Sequence, residues 1–255
     1  MAKPEHSGPI ELNDRLATRA RPEGWPLMYQ SWLNLLFMHW RLPVEQVRPL
    51  IPKPIEIDTF DGSAWVAVTP FELSNVRPIF VPPIPFVSEF CEINVRTYVY
   101  YKNVPGVWFF SLDANSMLAV MGARLAYRLP YHNAEQSLNK NGDSIHFRSK
   151  RSDSDAEFEA KWMIKDGEAK ISEPGSLEFF LTERYCLYTT YGRDLYRCRI
   201  HHEPWRLGPA RIENYSTDLF AANALSVPEG EPILHAARPV DVEVWPLAKI
   251  SSAVQ

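Results

Sequence analysis

FCEINVRTYVYYKNVPGVWFFSLD, residues 90–113, sets an acid, an amide and a guanidinium along one side of a segment that otherwise reads as a buried strand. Alternate side chains of a strand point to opposite faces. One face here carries Phe90, Glu92, Asn94, Arg96, Tyr98 and Tyr100; the other carries Cys91, Ile93, Val95, Thr97, Val99 and Tyr101. The second face suits a core. If the first were merely solvated, its aromatic side chains would be poorly placed, whereas a cavity wall accounts for all six. Pro105-Gly106 then reads as a turn into a second strand over 107–112.

Outward from this segment the chain reads as many short strands with few helices. WLNLLFMHWRL, residues 32–42, suits one buried strand. Pro43 opens a short helix over 44–50 that Pro52 and Pro54 stop. Segments 55–60 and 63–69 flank Asp61-Gly62, the sharpest hairpin signal in the chain. RPIFVPPIPF, residues 77–86, is too apolar to lie freely in water and reads as a lid or a subunit contact. Residues 115–127 form the main helix, with Asn115 as its cap and Met117, Leu118, Met121 and Leu125 on an apolar stripe. Segments 145–151 and 157–164 make a hairpin in which Phe158, Ala160, Trp162 and Ile164 face inward. Short helices follow over 176–181 and 218–224. A strand pair spans 185–190 and 195–202 around Gly192, and a last strand spans 240–245. No repeat or composition break divides the chain. The expectation is a mainly β, β-rich α+β class, with a loose tail over 1–24 and a single domain over 25–250 built as an antiparallel barrel or sandwich.

Composition narrows the function. Charged residues are 23% and hydrophobic ones 45% of the 255 residues, and the net charge of −4 gives no electrostatic argument for a nucleic-acid or membrane partner. The cluster Arg148, Lys150 and Arg151 is followed by Asp153 and Asp155 and reads as a solvated hairpin end. Twenty-two prolines against eleven glycines indicate that proline fixes many segment ends. Cys91, Cys186 and Cys198 lack CxxC spacing, so reduced thiols in a cytoplasm are expected rather than disulfides or zinc. No run approaches the ~20 apolar residues that span a bilayer. GxSxG, P-loop and dinucleotide motifs are absent.

The polar row supplies the chemistry. Arg96 offers a planar two-donor fork for a carboxylate, and Glu92 could exchange a proton with a substrate beside Asn94 and Tyr98. The alternative is a buried ion pair that only fixes strand register. Tyr131 could donate to a developing enolate, and His132 titrates near neutral pH; both could instead belong to a simple turn after Pro130. His39 sits in an apolar strand and is either a core histidine or a substrate contact. His201 and His202 are adjacent on a strand and face opposite ways, so at most one faces a cavity and they cannot share a metal.

Several phrases run in a recognisable order: MHWR at 38–41, LIPKPIEIDTFDGSAWVAVTPF at 50–71, EINVRTYV at 92–99 and PGVWFFSLDA at 105–114. LPYHNAE at 129–135, LTERYCLY at 181–188 and HEPWRL at 202–207 continue it. Over residues 32–247 the chain resembles the YqjF-like family, a bacterial domain of unknown function, and more remotely the acetoacetate decarboxylase-like superfamily. That resemblance implies a single antiparallel, cone-shaped β-barrel with a ligand cavity and a few peripheral helices. In the decarboxylase a Schiff-base lysine and a second lysine follow a Gly-x-Pro turn after the main helix. Here the corresponding stretch is Arg128-Leu129-Pro130-Tyr131-His132, which puts Tyr131 and His132 where the lysines would be. Without an amine there, no iminium electron sink forms at that position. The resemblance also implies that Glu92 matches the decarboxylase's cavity glutamate.

The expected protein binds a small carboxylate or carbonyl compound, with no cofactor and no metal, and is cytoplasmic, with homo-oligomerisation open. Its expected activity is that of a lyase, isomerase or hydrolase that is not a Schiff-base decarboxylase, with Glu92, Tyr131 and His132 catalytic and Arg96, Asn94, Tyr98 and His39 holding the substrate. A non-catalytic binding or sensing protein and a structural oligomer are the alternatives.

Overall fold

The computed structural model of the chain describes residues 10–85, 87–165 and 167–252, and only the backbone of 118, 119 and 123–125. In chain order the elements begin with α1 (Leu12–Ala17), β1 (Met28–Leu33), β2 (Leu36–Leu42), α2 (Val44–Val47, continued by a 3-10 turn over Arg48–Leu50), β3 (Glu56–Ile57) and β4 (Ala64–Pro78). The middle of the chain forms β5 (Phe90–Tyr101), β6 (Val104–Ala114), α3 (Met117–Tyr127), β7 (Tyr131–Asn141), β8 (Ser144–Arg151), β9 (Glu157–Ile164) and β10 (Lys170–Ile171). Then come α4 (Leu177–Thr182), β11 (Cys186–Tyr191), β12 (Asp194–His201), β13 (Arg206–Thr217), α5 (Leu219–Ala222), β14 (Ile233–Ala237), β15 (Val240–Val244) and β16 (Ala248–Ser252).

The sixteen strands form one sheet in the order β1-β15-β12-β11-β6-β7-β8-β9-β13-β14-β2-β4-β5-β3, with β10 and β16 as side branches on β13 and β12. The expected single antiparallel barrel is therefore corrected to a mixed α+β fold, mostly strand, whose sheet does not close. The path ends at β3, two residues long, which pairs with β5 and not with β1. Two ladders, β6–β7 and β6–β11, are parallel. The physical cause lies largely in β4. Its first half pairs with β2 and its second half with β1, while its other edge pairs with β5 over Val66–Leu73. A strand that long branches the ladder. Alternation of side chains assigns faces, not partners.

The apolar face of β5 behaves as its sequence indicates: Ile93, Val95 and Val99 join the main core with Leu36, Met38 and Trp162. Burying each such side chain contributes ~1.5–3 kcal/mol. In the β8–β9 hairpin, Phe158, Ala160 and Trp162 are buried while Glu157 is exposed. Asp61-Gly62 forms the expected turn, with φ of 49° and 73°, closed by a Phe60–Ser63 bridge.

Other expectations are corrected. Residues 32–42 break at Asn34, whose φ is +50°, into the ends of two strands. The turn after β5 is Lys102-Asn103, with φ of 48° and 59°, and Pro105-Gly106 lie inside β6. α3 starts at Met117, and Asn115 accepts from the Cys91 amide at 2.8 Å. Met117 and Met121 are exposed; the side chains of Leu118 and Leu125 lie outside the described residues, as does Phe86 of the 77–86 loop. Of the basic cluster, Arg148 and Lys150 face water with Glu159 and Glu157, but Arg151 is buried on Asp113 at 2.9 Å. Strands β7, β10, β13, β14 and β16 were not indicated by the sequence. Of residues 1–24, those from Ile10 onward are described, and Arg15, Arg19 and Arg21 pair with Asp58, Glu183 and Glu243. Among the described residues no helix is long and apolar enough to cross a membrane.

Candidate functional site

The polar face of β5 lines a cavity of about 490 Å³, with Phe90, Glu92, Asn94 and Arg96 on its wall. β5 is held between β4 and β6, and a bulge after Val95 leaves Phe110 without a partner on it. Tyr98, the next residue on that face, packs beyond the cavity wall with Trp65, Phe180 and Leu181. Strand β7 brings in the second contributor. Arg128, at φ +54°, reverses the chain after α3, and Tyr131 pairs with Leu112 in a parallel ladder. From there the Tyr131 hydroxyl donates to Glu92 Oε2 at 2.7 Å. Asn94 Nδ2 lies 3.4 Å from Glu92 Oε1.

These contacts set the electrostatics. Glu92 is buried, and burial pushes its carboxyl up to about 7, against the downward pull of the Tyr131 and Asn94 hydrogen bonds. It is therefore populated in both protonation states near neutral pH. Burial, then the Glu92 charge, holds the Tyr131 phenol well above its usual range. Arg96 is 9% exposed, and among the described residues no carboxylate lies within ion-pair distance of it. Its buried Nε has no hydrogen-bond partner, and the guanidinium lies over the Phe37 ring at 5.2 Å. Glu92 and Arg96 share a wall without forming the register-fixing pair weighed as an alternative.

Two lining residues were not singled out by the sequence reading. Arg184, between α4 and β11, donates from Nη1 to Asp58 at 2.6 Å, while its buried Nη2 has no partner. Asp58 also receives the two-donor fork of Arg15 at 2.6 and 2.7 Å. Burial would raise the Asp58 carboxyl, but Arg184 and Arg15 outweigh it and hold it below its usual value. His202 follows β12 and is the cavity-facing member of the histidine pair. It packs on Tyr185 and Trp205 at ring distances of 4.7 and 4.8 Å. Its Nδ1 lies 2.7 Å from the Glu203 carbonyl, which can only accept, so Nδ1 carries the proton. Burial lowers His202 to about 4, leaving a neutral ring with a free acceptor at Nε2. The LTERYCLY and HEPWRL phrases contain both residues and were the available signal.

The other predicted site residues lie elsewhere. His39 is fully buried behind the cavity wall, packed on Phe37 and Tyr98, and is held well below its usual value by burial and then by Arg96 and His235. His132 points away from Tyr131, to the surface, where Nδ1 lies 3.0 Å from Asp153. Among the described residues no lysine lines the cavity. Among the described residues no group of three His, Cys, Asp or Glu could hold a metal ion.

Comparison with known proteins gives the chain a family and a fold. The DUF2071 family, described as an uncharacterized conserved protein, matches residues 29–241, and the chain belongs to it. YqjF of Bacillus subtilis (strain 168) is 45% identical over 231 residues, covering 90% of this chain and 95% of the relative. Among solved structures, an acetoacetate decarboxylase-like enzyme from Sphingomonas wittichii RW1 superposes with a TM-score of 0.62 at 12% identity, over 89% of this chain and 94% of that one. The acetoacetate decarboxylase of Legionella pneumophila subsp. pneumophila str. Philadelphia 1 gives 0.61 at 12% identity over 99% of both chains. The enduracididine biosynthesis enzyme MppR, complexed with pyruvate, gives 0.62 at 12% over 90% of this chain and 92% of that one. At these identities the likeness is one of fold.

Proposed function

We propose that this member of the DUF2071 family binds a small carboxylate or carbonyl compound in the β5-lined cavity and moves a proton on it. Arg96 carries the reading. A buried guanidinium beside open space, with no carboxylate of its own, is costly to desolvate unless an anion completes it. A ligand carboxylate or developing enolate supplies that anion through the two-donor fork. Glu92, near neutral in its proton affinity, takes a proton from carbon α to a carbonyl as carboxylate, and returns one as acid. Tyr131 holds Glu92 Oε2 and orients the carboxyl, and Asn94 flanks the other oxygen.

That the decarboxylase fold recurs, including in MppR with pyruvate bound, supports a small-molecule cavity. The chemistry proposed is other than the Schiff-base kind; supporting it, among the described residues no lysine lines the cavity, and the resemblance puts Tyr131 where the decarboxylase has its lysines. The class is thus a lyase, isomerase or hydrolase driven by one carboxyl and one guanidinium. The test is deuterium uptake from D2O into enolisable keto acids, followed by proton NMR with wild type and Glu92→Gln. Uptake in wild type that is lost in Glu92→Gln while binding persists is expected. Binding without uptake in wild type makes the protein a ligand binder or sensor instead.

A further inference from the structure

The lining of the cavity changes character along its length. The three charged lining groups, Glu92, Arg96 and Arg184, are all buried, as are Thr69, Asn94 and His202, while the polar lining residues Gln30 and Tyr131 are half-buried. Among the described residues, the exposed lining positions, which mark the mouth, are Leu27, Pro78, Gly122 and Ala126, and none of them is polar. Between the two ends the wall is apolar and aromatic, with Trp32, Phe71, Leu73, Phe109, Ile200 and Trp205. The charged groups thus lie inward of an apolar rim.

At the closed end sit two guanidinium groups and one carboxyl. Arg96 Nε and Arg184 Nη2 are both buried and without hydrogen-bond partners, and both charges pull down the Tyr98 phenol, which burial raises. Arg184 shares its one carboxylate, Asp58, with Arg15. The inner end therefore has cationic donors to spare. A volume of about 490 Å³ falls in the range of pockets that enclose drug-sized ligands. A two- or three-carbon acid would satisfy the inner end and leave the long apolar wall facing water.

From this gradient we infer the ligand class of the site proposed above, on which the inference rests: a monocarboxylate with a bulky apolar body. Its carboxylate seats inward on Arg96 and Arg184. Its apolar body lies along Trp32, Phe71 and Trp205 toward the mouth at Leu27, Pro78, Gly122 and Ala126.

The test is calorimetric titration of the full chain with acetate, butyrate, hexanoate and octanoate, and with methyl octanoate as the uncharged control. Affinity is expected to rise about fourfold for each added methylene, until the wall is covered. Methyl octanoate should bind at least tenfold more weakly than octanoate. Ala126→Trp, at an exposed helix position, should weaken octanoate and leave butyrate unchanged. Arg184→Lys, which keeps the charge on Asp58 but loses the unpartnered Nη2 donor, should weaken every acid and leave the ester unchanged. Butyrate binding as tightly as octanoate, with both lost in a folded Arg96→Ala, overturns the inference and leaves the site reading standing. Ester and acid binding alike overturns the inward carboxylate. No acid binding at any length overturns the inference and the site reading together.

Discussion

Glu92 decides more about this molecule than any other single side chain, and its behaviour has a definite sign. Its carboxyl is raised from 4.5 to about 7, by burial first. The folded state thus holds the proton more tightly than the unfolded chain. Glu92 contributes its stability fully below pH 4.5, and that contribution is lost as pH rises through about 7. The difference corresponds to about 3 kcal/mol. Glu92→Gln, neutral at every pH, should gain on wild type by that amount between pH 4 and pH 8 in chemical denaturation; a gap independent of pH would contradict the burial argument. Side-chain alternation in residues 90–101 was enough to put Glu92, Asn94 and Arg96 on one wall, because a strand's period of two is rigid. It failed for Arg184 and His202, which lie just outside regular strands, where no period applies. His132 was grouped with Tyr131 because 131–141 was not read as a strand. Once it is one, neighbours must face apart.

At the scale of elements, β6 is the hinge of the architecture, pairing antiparallel with β5 and parallel with β7 and β11. Gly106 makes the β11 contact possible. A Cβ there would lie 2.8 Å from the Cys186 carbonyl oxygen and 2.8 Å from Tyr188 Cε2. Gly106→Ala should therefore cost about 1–3 kcal/mol, read as a lowered midpoint in thermal unfolding, because backbone rather than a flexible side chain must yield. An unchanged midpoint would mean that the two strands are not held this closely. The sequence reading took Pro105-Gly106 as a turn because that dipeptide usually is one. Here the glycine serves close approach, and Lys102-Asn103 turns the chain at positive φ. Hairpins with a local signature, such as Asp61-Gly62 and β8–β9, were legible; pairings between strands far apart in sequence were not. Closure into a barrel was expected from the many short strands and the family resemblance, without those pairings, and is absent.

For the whole molecule, Asp58 ties the N-terminal segment to the cavity's closed end by accepting from Arg15 of α1 and from Arg184. Asp58→Ala leaves a buried guanidinium uncompensated and should cost about 3–5 kcal/mol in denaturant unfolding; a loss below ~1 kcal/mol, the scale of an exposed pair, would contradict it. The pH sense is opposite to that of Glu92. Arg184 and Arg15 more than offset the burial that would raise Asp58, so its contribution is present above pH 3.8 and lost as pH falls through its lowered folded value. Acid thus loosens the tie, whereas alkali charges the cavity. Both ends of the pH range act on the same inner wall that Arg96 shares.

Whether Arg96 is kept for a ligand is measured most directly by thermal unfolding of wild type and Arg96→Ala across a panel of carboxylates, keto acids and enolisable ketones. A ligand at ~100 times its dissociation constant adds ~2.7 kcal/mol, and a chain of this size shifts ~2–4 °C per kcal/mol. The account predicts a rise of several degrees in wild type with at least one acid, and no rise in a folded Arg96→Ala. No shift with any compound, together with a strongly destabilised Arg96→Ala, would show that the polar row holds the sheet together and binds nothing.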